Sequence, residues 1–105
     1  NTGMKIERIQ IAADLPSEAG FAFSDKAVQG ARVGKKENAL YVDSPRRFKL
    51  FSEGTDTVHI LSGNGHFKHA RGETDFSAGE SFRLENPGEY ELNGRCAFIV
   101  LRGEL

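Results

Sequence analysis

The chain has 105 residues, with 14 Lys and Arg against 15 Asp and Glu and a formal net charge of −1. That length suits one domain with a modest core, and the balanced charge, with no basic stripe carrying interleaved aromatics, argues against a nucleic-acid-binding role. No apolar run approaches the ~20 residues needed to span a bilayer, and no secretory apolar segment is read at the N-terminus, so a cytoplasmic protein is expected.

Eight Phe, two Tyr and no Trp mean that Phe must supply most of the large core volume. Asn1-Thr2-Gly3 ahead of Met4 reads as an appended segment, which leaves residues 4–105 as a single domain. Residues 5–11 predict a first strand. Residues 14–20 predict a loop, broken by Pro16 and Gly20. Residues 21–29 are ambiguous, since Phe21 and Phe23 alternate while Ser24-Asp25-Lys26-Ala27 could open a helical turn. Residues 39–42 form a short strand ended by Asp43-Ser44-Pro45. Over residues 46–53 the alternation is clean: Phe48, Leu50 and Ser52 take one face, and Arg47, Lys49, Phe51 and Glu53 the other.

Residues 55–62 predict a strand, Gly63-Asn64 a tight hairpin turn and residues 65–70 the returning strand. That register pairs Leu61 with His66, Ile60 with Phe67 and Val58 with His69, and places Asp56, Val58, Ile60, Phe67 and His69 on one face. Turns follow at residues 77–80, 86–88 and 93–94, separating strands at 81–84 and 89–92. The last strand, residues 95–101, is apolar on both faces and therefore central. Cys96 lies within it, so the only cysteine is expected to act as a small buried hydrophobe. Short strands at regular spacing predict an all-β sandwich or barrel.

The stretch 56–94 resembles the cupin family. Asp56 and Gly63, with six residues between them, match the spacing of its first motif, where Glu is usual. In the second motif Gly79 takes the first place, Glu85 stands where Pro is expected, Pro87 where Gly is expected and Tyr90 where His is expected. The phrases at residues 78–82 and 88–94 look most like the C-terminal barrel of type I mannose-6-phosphate isomerases. The resemblance implies a double-stranded β-helix, or jelly-roll barrel, around a small-molecule pocket.

Metal-binding cupins hold their ion with an H-x-H pair, the first-motif Glu and the second-motif His. Here the paired positions fall on Leu50 and Ser52, and the last on Tyr90, which leaves Asp56 as the one donor of that set. No metal and no cofactor are therefore expected at that position. In the isomerases, too, the C-terminal barrel is not the one that carries the catalytic zinc.

The expected function is a metal-free barrel that binds a small polar, carbohydrate-like ligand or a protein partner, leaning away from catalysis. The alternative is a sugar-phosphate isomerase-like enzyme, or a cupin whose metal site is rebuilt around Asp56 and His69. The candidate pocket takes its polar groups from Asp56, His69 and Tyr90, and its remaining wall from Phe48, Leu50, Ser52, Val58, Ile60 and Phe67. Asp56 and His69 would form a carboxylate–imidazole pair. His59 and His66 share the other face in this register and make a second possible metal pair, but a surface or dimer-interface role is expected, because two His alone make a poor site. Arg46, Arg47 and Lys49 read as a solvated strand face, with contact to a phosphate as the alternative. Arg83 and Glu85 read as a surface pair. Leu61, Ile99 and Leu101, facing away from the pocket, would be covered by a second copy in a homodimer.

Overall fold

The computed structural model describes residues 3–11 and 15–103. Among these residues ten strands and one turn of 3-10 helix build two packed sheets that share one long strand. In chain order the strands are β1 (Lys5–Ile9), β2 (Ala22–Phe23), β3 (Arg32–Lys36), β4 (Ala39–Ser44), β5 (Arg47–Ser52), β6 (Thr55–His69), β7 (Gly72–Ser77), β8 (Ser81–Glu85), β9 (Gly88–Asn93) and β10 (Cys96–Arg102). The larger sheet runs β1-β8-β6-β10-β4-β3-β2, and the smaller joins β5, β9, the second half of β6 and β7. Every pairing is antiparallel. The ambiguous stretch 21–29 contributes the two-residue β2 and no helix. Among the described residues no helix is long and apolar enough to cross a membrane.

The expected turn at Gly63-Asn64 is absent. β6 runs on for 15 residues, and the hairpin that ends it is the Ala70-Arg71 turn into β7. The glycines that looked like a turn serve a close backbone crossing instead. A Cβ on Gly63 would collide with the carbonyl oxygen of Arg95, and one on Gly65 with that of Asn93, while Gly63 also holds φ at +84°. β6 thus passes from one sheet to the other over the β9–β10 turn, where only glycine fits.

The crossing also explains why the expected faces survive the loss of the expected hairpin. Ala97 stands opposite Ser62 but Phe98 stands opposite Ile60, so Leu61 is an extra residue, a β-bulge. One extra residue inverts the alternation. Asp56, Val58 and Ile60 point inward before it, and Phe67 points inward after it.

The core lies between the sheets. Phe48, Leu50, Val58, Ile60, Phe67, Phe82, Phe98 and Val100 are all buried in one cluster. Edge-to-face aromatic pairs tie the sheets to each other: Phe67 to Phe82 at 4.9 Å between ring centroids, and Phe48 to Phe98 at 6.1 Å. β10 is central, flanked by β6 and β4, and Cys96 is buried in it.

A second, smaller cluster lies on the outer face of the larger sheet. Leu15, Phe21 and Phe23 fold over Tyr41, Ile99 and Leu101. The Phe23 ring sits over Gly34, where any Cβ would meet it at 2.8 Å. Arg32 stacks on that ring at 3.7 Å and pairs with Glu18 at 2.8 Å. This corrects the basis of the expected dimer face: Ile99 is covered by the chain's own segment 15–23, and of the three residues named only Leu61 is exposed.

Candidate functional site

The predicted pocket wall is packed core. Phe48, Leu50, Val58, Ile60 and Phe67 belong to the single cluster that fills the space between the sheets. Ser52 is buried, and its Oγ accepts a hydrogen bond from the Gly54 N–H at 3.1 Å, so it serves the turn into β6.

Asp56 and Tyr90 do meet. Asp56 comes from the start of β6 in the larger sheet and Tyr90 from β9 in the smaller, and the Tyr90 hydroxyl donates to Asp56 Oδ2 at 2.5 Å across the interior. Both are essentially inaccessible to solvent. Burial, then the Asp56 charge and the hydrogen bond to it, push the Tyr90 phenol well above its ordinary range, against an opposing pull from Arg102. Arg102, which faces Asp56 across the β6–β10 ladder, brings Nε to 3.6 Å from Oδ2 and donates through Nη1 to the Phe51 carbonyl at 2.9 Å. Asp56 Oδ1 and Arg102 Nε are buried without a hydrogen-bond partner among the described residues.

His69 takes no part in this arrangement, which corrects the expected Asp56–His69 pair. Its Nε2 lies 3.0 Å from Thr74 Oγ1 on β7, and its Nδ1 accepts from the Arg71 N–H at 3.2 Å. The imidazole is spent on the β6–β7 hairpin. The hairpin that would have put His59 and His66 on one face is absent. His66 sits in the smaller sheet 3.9 Å from Glu73, and His59 in the larger one. Arg83 pairs with Glu7 across the β1–β8 ladder at 3.1 Å rather than with Glu85. Among the described residues no three His, Cys, Asp or Glu side chains are grouped so as to hold a metal ion.

The arrangement that sequence reasoning missed lies outside the barrel. On the outer face of the larger sheet a groove of about 670 Å³ runs between β1, the residues after it and the β7–β8 turn. His59 and Ser81 form its floor. They are direct partners in the β6–β8 ladder, and His59 Nδ1 lies 2.7 Å from Ser81 Oγ. Burial lowers the His59 pKa, which favours the neutral imidazole with one donor and one acceptor nitrogen. Ile9, Ile11 and Leu15 supply apolar wall. Arg8 and Glu80 stand at the rim and neutralise each other at 3.1 Å, with Arg8 also donating to the Asp75 carbonyl. The only trace of this groove in the sequence is that His59 has the outward parity of its strand. Its meeting with Ser81 needs a pairing of strands far apart in the chain.

These observations define the chain as an all-β protein with a cupin-like fold. No protein-family model matches the sequence, and no curated protein matches it. Solved structures show the likeness. A Bacteroides fragilis cupin protein superposes with a TM-score of 0.51 at 18% identity, covering 91% of this chain and 90% of its own. The mannose 6-phosphate isomerase from Bacillus subtilis gives 0.60 at 18% identity, over 85% of this chain and 31% of its own. A Vibrio parahaemolyticus protein of unknown function gives 0.60 at 16% identity, over 76% of this chain and 95% of the other. At these identities the likeness is one of fold.

Proposed function

We propose that this cupin-like barrel is a metal-free binding module for a small, neutral, polar ligand of carbohydrate type, held in the outer groove. The observation that carries the reading is the His59–Ser81 pair on the groove floor at 2.7 Å. It presents an imidazole and a hydroxyl beside the apolar surface of Ile9, Ile11 and Leu15. Few convergent polar groups on an apolar wall suit a ligand with both hydroxyls and a hydrophobic face. The mutual pairing of Arg8 and Glu80 leaves little net charge at the rim, which suits a neutral ligand rather than an ion. The test is calorimetric titration of the full chain with neutral hexoses and with hexose phosphates. His59→Ala and Ser81→Ala should each weaken the binding of the neutral sugar by about 2- to 13-fold, the equivalent of one neutral hydrogen bond. Unchanged affinity in both variants would overturn the assignment to the groove.

A second reading places the ligand at the barrel end, among Asp56, Tyr90 and, at the margin, His69. The buried, unpartnered Asp56 Oδ1 favours it, because a fully desolvated acceptor without a donor is costly and rare. In that case Tyr90→Phe and Asp56→Asn would change the affinity for the ligand, and the His59 and Ser81 variants would leave it as it is.

A further inference from the structure

We propose a second binding site, for the phosphate group of a small phosphorylated molecule, in the cleft where the turn at Gln29-Gly30 faces the start of β5. The cleft has a volume of about 680 Å³, and Arg46, Arg47 and Lys49 line it together with Gln29 and Asn93. None of the lining residues is acidic. Glu91 lies 3.8 Å from Arg47 Nε and offsets one of the three cations. Two positive charges remain in the cleft of a chain whose net charge is −1.

The walls of the cleft are fixed by hydrogen bonds of their own. Gln29 acts as a surrogate strand for the free edge of β5. Its Nε2 donates to the Lys49 carbonyl at 2.9 Å, and its Oε1 accepts from the Lys49 N–H at 2.8 Å. The turn that presents Gln29 is itself closed by paired hydrogen bonds between Val28 and Ala31, at 3.0 and 2.9 Å. Gln29 and Gly30 both hold positive φ there, +55° and +78°. On the far wall the Gly94 N–H donates to the Arg46 carbonyl at 2.6 Å. The backbone of all three cationic positions is thus anchored on β5 or against the β9–β10 turn.

Guanidinium groups bind phosphate through two parallel N–H donors, and an ammonium adds a compact point charge. Two uncompensated cations match a phosphate monoester dianion better than a single carboxylate. A cleft with three cations is also too small and too local to track a nucleic-acid backbone, which asks for a stripe of such groups.

The experiment titrates inorganic phosphate into the isotopically labelled full chain and follows backbone amide resonances, in wild type, in Arg46→Gln/Lys49→Gln and in Lys35→Gln. Lys35 is exposed on β3 and lies outside the cleft. The expected result is a saturable shift of the amides at residues 29–30, 46–49 and 93–94. It should be weakened about tenfold or more in the double variant and unchanged in Lys35→Gln, since hydrogen bonds to charged groups are the strong ones. The double variant should also leave the titration with neutral hexoses unaltered, which separates this site from the outer groove. No saturable shift up to about 10 mM phosphate, shifts that map elsewhere, or equal weakening by Lys35→Gln would each overturn the proposal.

Discussion

Replacing Tyr90 by Phe isolates a polar contact that crosses the interior. The ring stays, so no cavity larger than a hydroxyl opens, and the loss falls on Asp56. Among the described residues its Oδ1 has no partner and Oδ2 accepts a hydrogen bond only from the Tyr90 hydroxyl, with Arg102 Nε at 3.6 Å beyond hydrogen-bond reach. A hydrogen bond to a charged group contributes about 1.5–3 kcal/mol, and leaving a buried charge without its partner costs about 3–5 kcal/mol. Arg102 is partly exposed and still offsets part of the charge, so the lower end of the second range applies and the variant should lose about 3 kcal/mol. For a domain of this size that lowers Tm by roughly 15 °C. Urea unfolding of wild type, Tyr90→Phe, Asp56→Asn and the double variant closes the cycle, and the coupling between the two sites should be about 1.5–3 kcal/mol. The alkaline limb gives an independent check. The phenol is raised from its ordinary 10.0, so its contribution is complete below that pH and is lost as pH rises past it. Tyr41, also raised, by burial and then by Glu18, shares that limb; Tyr90→Phe should remove the Tyr90 part. A loss of less than about 1 kcal/mol, or zero coupling with Asp56→Asn, would refute the contact as the reason for the burial of this pair.

Gly63→Ala should cost about 3 kcal/mol or prevent folding, through a Cβ driven into the Arg95 carbonyl at a positive φ; Asn64→Ala, at the neighbouring exposed position, should change the urea midpoint little. Stability should fall below about pH 6.5, because burial lowers the pKa of His59, and burial and then Arg71 lower that of His69; the unfolded chain takes up protons first, and denaturation midpoints at about pH 7.5 and about pH 5.5 should converge in His59→Gln/His69→Gln. The Cys96 thiol is pushed up to about 11 by burial and then by the Asp43 charge, so it should not react with a disulfide reagent at about pH 8 until the protein is unfolded in urea.

Local patterns carried much of the fold into the sequence. The alternation over β5 is visible residue by residue because one face is buried and the other wet, and the two-sided apolarity of β10 follows from its central place. The turns at residues 77–80 and 86–88 were legible from their turn residues, and Gly79, Asn86 and Gly88 hold positive φ there. The crossing of β6 was not. A glycine in a turn and a glycine beneath another strand's carbonyl look alike in one dimension, and Gly63-Asn64 carries the stronger signal for the first. The bulge at Leu61 then restored the parity that a hairpin would have produced, so inward faces were read correctly from a wrong register. The cover over Ile99 and the His59–Ser81 pair were illegible because each joins segments distant in the chain.

The positions at which the cupin resemblance places metal ligands support the proposal that recognition lies on the outside of this barrel. Leu50 and Tyr90 are direct partners in the β5–β9 ladder, and Tyr90 bonds Asp56, so three of the four positions converge on one end of the interior. There Leu50 and the Tyr90 ring act as packing, while the Tyr90 hydroxyl holds Asp56. Leu50 and Tyr90 are buried in the aromatic core, and Ser52, the fourth position, holds the turn into β6. Changing donors into apolar volume removes ligands and fills the space that a ligand would need, since interiors pack to near-crystalline density. A barrel filled in this way is rigid, and rigidity suits surface recognition: the floor of the outer groove is set by the β6–β8 ladder, and the wall of the basic cleft by β5. Both proposed sites sit on strands whose inward neighbours, Val58 and Ile60 for His59 and Phe48 and Leu50 for Arg47 and Lys49, are buried in the core. A truncation such as Phe48→Ala, which should cost about 3–5 kcal/mol, would therefore loosen the basic cleft from beneath without touching any of its cations.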